Sequence, residues 1–132
     1  MDGDYCVDTV ALPETLSLVH ELLDQVRADH PELAPTDLML FETAVIEIAT
    51  NVVEHGRAPD TIHYSFTLEV RTDRLLGRLR DTGPPLPESE RPMPDTDSED
   101  GRGLAIARVA LDDLHYQRAD GHNEWTMVRH RR

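Results

Sequence analysis

A chain of 132 residues fits one compact domain, 1–132, able to bury a core without metal or disulfide staples. Its 26 acidic and 13 basic residues leave a net charge of −13, which repels nucleic acid phosphates and anionic membranes and suits a basic or mixed protein partner. All 13 basic residues are arginine, excluding a P-loop and the usual protein kinase strand lysine; the lone Cys6 excludes an internal disulfide, and no apolar run suits a signal peptide or a membrane span, so a cytoplasmic protein is expected.

CVDTVAL alternates as an edge strand would, and after Pro13 the residues Leu16, Val19, Leu22 or Leu23 and Val26 recur at helical spacing. Pro31 and Pro35 punctuate the next turn. Thr36 is the expected N-cap of a second helix whose apolar stripe is Leu38, Phe41, Val45, Ile48, Ala49 and Val52, with Gly56 ending it. TIHYSFTLEV and RLLGRLRD, joined by RTD, read as an antiparallel hairpin. Residues 84–100 hold five prolines and six acids with almost nothing to bury, the composition of a mobile loop. GRGLAIARVALDD resumes helical spacing, and LHYQRAD and NEWTMVRH form a final strand pair around Asp120 and Gly121, leaving RHRR as a solvated tail. This order predicts an α+β two-layer sandwich, its helices on one face of a mixed, mostly antiparallel sheet.

Three groups of residues carry chemistry. On the second helix Glu47, Asn51 and His55 are spaced by four and fall about 180°, 220° and 260° around the wheel from Leu38, bordering an apolar stripe centred near 320°. A helix border is polar in any case, but asparagine is a poor interior helix former with little reason to abut a core unless something there needs its amide. In DTGPP, Asp81 shares strand parity with Leu79 and Gly77, so its carboxylate points inward and needs a donor; the same residues also read as a plain turn at a strand end. Before the third helix, Gly101 and Gly103 bracket Arg102, a combination suited to an oxyanion but ordinary by itself. The acidic run DTDSEDG lacks the glycine and the glutamate of an EF-hand, and no histidine or serine arrangement fits a zinc protease or a serine hydrolase.

In this order, EIATNVVEH resembles the N-box, DTG the G1 box and GRGLAIA the G2 box of the GHKL superfamily of histidine-kinase-like ATPases, with the proline-rich acidic stretch in the place of its ATP lid, about 84–103. Within that superfamily, the short length and the PETLSLVHELL opening look most like the anti-sigma factor serine/threonine kinases of bacteria. The resemblance implies an ATP and Mg²⁺ site: Asn51 would hold the metal, Glu47 would polarise the attacking hydroxyl, and Asp81 would accept the adenine amino group, with Gly83 permitting close approach. Gly101, Arg102, Gly103 and Leu104 would close over the triphosphate, with His55 at the pocket's edge. It further implies a sigma factor and an STAS-type anti-anti-sigma factor as partners, and leaves a homodimer open. Pro85 stands where the G1 box often has another glycine, and the lid region carries six acids against Arg91. An alternative is therefore a catalytically weak, nucleotide-gated binding module.

Overall fold

Alternation at the amino end produces β1, Gly3–Val10, with Tyr5 and Val7 turned to the core. The computed structural model describes residues 2–55, 62–85 and 102–132, without the side chains of residues 55 and 102–105. Pro13 opens a short 3-10 turn, Pro13–Thr15, so the first helix begins only at Leu16: α1, Leu16–Asp29, buries Val19, Leu22, Leu23 and Val26. The second helix, α2, Pro35–His55, starts one residue before the expected cap. Proline suits a first helical position because its missing N–H would have no partner there; Thr36 thus lies inside the helix. Phe41, Val45, Ile48 and Ala49 are completely buried along its stripe, and Leu38 and Val52 nearly so. Each of the larger of these side chains contributes roughly 1.5–3 kcal/mol of burial. The predicted stop, Gly56, lies outside the described residues.

The central hairpin is β2, His63–Val70, and β3, Arg74–Asp81. After the undescribed residues 86–101 come α3, Arg102–Ala110, then β4, Asp113–Ala119, and β5, His122–His130. Asp120 and Gly121 both take positive φ, 53° and 77°, between the last two strands, as the tight turn of a two-residue hairpin requires. The strands form one sheet in the order β1-β2-β3-β5-β4, with the helices packed against it.

Two expectations are corrected. Among the described residues every pairing is antiparallel, not mixed. β3 and β4 do run in the same direction, but the tight hairpin inserts β5 between them, so that parallel direction never becomes a parallel pair. Nor is the RHRR end a solvated tail. Arg129 shares inward parity with Trp125 and Met127 and is only 6% exposed; its Nε donates to Asp37 Oδ1 over 3.0 Å and its Nη1 to the Ala110 carbonyl over 2.8 Å. The Arg132 N–H donates to Asp37 Oδ2 over 2.8 Å. A buried arginine and a buried aspartate are tolerable together because each satisfies the other. Among the described residues, no helix is long and apolar enough to cross a membrane.

Candidate nucleotide site

The contacts of α2 set which residues meet at the end of the sandwich. Arg129, whose partner on β3 is Leu75, holds Asp37 in the first turn of α2, and Phe41, one turn on, lies against Gly77. Helix and strand therefore advance together. The four residues from Gly77 to Asp81 cover about 13 Å of strand, a distance a helix covers in about nine residues. Counted along a common axis from the Phe41–Gly77 contact, that span matches Asp81 to the turn of α2 that holds Asn51. Because Arg129 also binds the last carbonyl of α3, that helix ends where α2 begins. From there α3 packs against α2.

Each predicted site residue can now be placed. Glu47 and Asn51 are half-buried, at the border of the buried face of α2 as the wheel requires. His55 is the last residue of that helix, its side chain undescribed. Arg102, Gly103 and Leu104 form the first turn of α3, where free backbone N–H groups favour an anion, whereas Gly101 lies outside the described residues. Asp81 ends β3 pointing inward, 4% exposed. A Cβ on Gly83 would stand 2.9 Å from Asp81 Oδ1 and 3.3 Å from Ile62 Cδ1, so any side chain there would crowd the carboxylate.

Asp81 is not without donors, as inward parity alone would have it. Its Oδ1 accepts the Gly83 N–H over 2.8 Å and Asn123 Nδ2 over 3.0 Å, while no donor among the described residues reaches Oδ2. Burial raises its carboxyl above the usual range, and the bonds from Asn123 and Gly83, with the charges of Arg118 and His122, oppose that rise. Asn123 carries no motif in the sequence, yet strand parity with Trp125 turns it inward. A separate groove of about 610 Å³ on the open face of the sheet, lined by Asp8, His63, Ser65, Arg80, Thr82 and His122 among others, contains none of the predicted site residues.

The donor set bears on the metal. Among the described residues no cluster of three His, Cys, Asp or Glu side chains could cage an ion. A single carboxamide with one carboxylate a turn away fits Mg²⁺, which takes few protein oxygens and keeps waters and substrate phosphates as its other ligands. It does not fit zinc, whose sites use three or four side chains.

The chain belongs to the histidine kinase-like ATPase domain family, whose model matches residues 9–129. Its fold is similar to that of the RsbU and RsbW domains of Rv1364c from Mycobacterium tuberculosis, at TM-score 0.67 and 18% identity, covering 98% of this chain and 33% of that one. It therefore spans about a third of that protein's chain. It is also similar to the catalytic domain of the histidine kinase ThkA, at TM-score 0.57 and 13% identity, with 99% and 96% of the two chains covered. No curated protein matches it by sequence.

Proposed function

We propose that this histidine kinase-like ATPase domain binds ATP with Mg²⁺ and transfers the γ-phosphate to a serine or threonine of an STAS-type anti-anti-sigma partner. It would hold a bacterial sigma factor through a separate surface, in the cytoplasm. The observation that carries the nucleotide reading is Asp81, a buried carboxylate whose Oδ1 is engaged while no donor among the described residues reaches Oδ2. An open oxygen in a desolvated position suits an exocyclic amino donor and disfavours the guanine carbonyl at the same place. Asn51 would hold the metal that neutralises phosphate charge. Gly101, Arg102, Gly103 and Leu104 would border the phosphates, with His55 at the rim, and Glu47 would orient the incoming hydroxyl and take up its proton.

The kinase and sigma-factor parts of this reading rest on the sequence resemblance, which selects the anti-sigma factor kinases within a broader family. A second reading keeps the nucleotide and drops the transfer: the six acids of residues 84–100 and Pro85 favour a nucleotide-gated binding module. Incubation with γ-labelled ATP, Mg²⁺ and a candidate STAS-type protein separates the two. Label on a serine or threonine of the partner is expected; binding of ATP and of the partner with no transfer would favour the module.

A further inference from the structure

Asn123 stands opposite Asp81 in the β3–β5 register, and both side chains are buried. All of its carboxamide is engaged. Nδ2 donates to Asp81 Oδ1 over 3.0 Å and to the Pro84 carbonyl over 2.8 Å. Oδ1 accepts from the Tyr116 hydroxyl and from Arg118 Nη1, the latter over 3.1 Å. The same Arg118 nitrogen donates to the Gly83 carbonyl over 2.6 Å. Two side chains of the β4–β5 hairpin, Asn123 and Arg118, thus grip one carboxylate oxygen and two successive carbonyls of the turn leaving β3, and Tyr116 holds Asn123.

Sheet packing does not call for this. An apolar residue beside Trp125 would continue the inward face without the desolvation cost of a buried amide, which is tolerated only when its polar atoms are bonded. The network also has a direction: Tyr116 and Arg118 set the amide's plane, the amide sets the carboxylate's rotation, and Oδ2 is left without a donor among the described residues.

We propose that Asn123, oriented by Tyr116 and Arg118, is a positioning residue of the nucleotide site: it occupies Asp81 Oδ1, aims Oδ2 at the adenine amino group, and fixes the Gly83–Pro84 backbone beside it. This rests on the adenine reading of Asp81 given above. A second consequence follows from charge. The charged groups acting on Asp81 are Arg118 from β4 and His122 from β5, and the Asn123 bond joins them in favouring the carboxylate against burial. Without Asn123 the carboxyl takes up a proton more readily, and a protonated carboxyl is a poorer acceptor for an amino group.

The test compares wild type with Asn123→Leu, Asn123→Ser and Arg118→Met. Carbon-13 NMR follows the Asp81 carboxyl titration without nucleotide, and calorimetry measures ATP and GTP affinity at mildly acidic and neutral pH. Asn123→Leu is expected to raise the titration midpoint and to weaken ATP binding about tenfold, the scale of one hydrogen bond to a charged group, with the larger loss at the lower pH. Asn123→Ser, which keeps one donor, should fall between Asn123→Leu and wild type. Arg118→Met, at an exposed position, should shrink the ATP preference even if Asn123→Leu does not fold. Equal ATP and GTP affinity in the wild type overturns the adenine reading itself. A wild type that prefers ATP, with variants whose Asp81 titration and ATP preference are unchanged, overturns the positioning role alone.

Discussion

Phe41 Cζ stands 3.0 Å from the point where a Cβ on Gly77 would sit, with Phe66 Cε1 3.2 Å from the same point. The helix ring rests on bare strand backbone, and this seats α2 at its height over the sheet. Gly77→Ala is expected to force Phe41 outward and cost ~1–3 kcal/mol, the usual penalty of overpacking a filled core. Because α2 also carries Asn51, ATP affinity should fall in the same variant. Thermal unfolding and calorimetry together check this; an unchanged Tm would mean that the ring yields freely.

Arg129 and Asp37 are buried and paired, so removing one partner strands the other. Arg129→Ala is expected to cost ~3–5 kcal/mol, whereas Arg129→Met combined with Asp37→Leu should recover much of that loss. Urea unfolding of the two single variants and the double variant measures the coupling. Additive losses would show that the pair contributes nothing as a pair.

For Asp81 the folded-state pKa lies above the unfolded one, chiefly through burial. Its contribution to stability is therefore most favourable below the unfolded value, declines as pH rises through the window between the two, and stays least favourable from there to neutrality. Asp81→Asn keeps an acceptor oxygen for Asn123 and Gly83 but abolishes the ionisation. The variant is expected to be at least as stable as wild type at neutral pH while losing ATP affinity. Its stability relative to wild type should rise with pH and then level off. Denaturation curves across that range provide the check, and a variant that loses stability at neutral pH would contradict it.

Glu47 and Asn51 sit one helical turn apart and should divide the work. Glu47→Ala is expected to leave ATP affinity within a few fold and to lower phosphoryl transfer about 10²-fold, the scale of a positioned acid or base. Asn51→Ala should lose both, since the metal it would hold neutralises the bound and the reacting phosphates alike. Paired affinity and single-turnover measurements decide; equal loss of binding in the two variants would remove the distinction.

Residues whose roles are local could be read before any coordinates. Alternation at Tyr64, Phe66 and Leu68 and the stripe from Leu38 to Val52 are set by neighbours within the same element, and all of these side chains are buried. Inward parity likewise placed Asp81. Partnerships across elements stayed hidden: Arg129 looked like a solvated tail because its partner Asp37 lies 92 positions away, and Asn123 was overlooked because its use depends on which strand lies beside β5. The all-antiparallel pairing was hidden for the same reason, since no local signal says that β5 will insert between β3 and β4. The roles of Gly101 and the neighbouring residues 86–100 were read from composition and resemblance alone.

Asp37 receives its partners from residues 92 and 95 positions downstream. At ~5–20 residues per second, synthesis leaves about 5–20 s between the appearance of the aspartate and of the groups that neutralise it. During that interval the first turn of α2 cannot bury its acid, and β5, which completes the middle of the sheet, is missing. Until then α2 has β3 but not β5 to pack on. The last strand alone supplies the groups that pin α2, hold the end of α3 and meet Asp81 across the sheet.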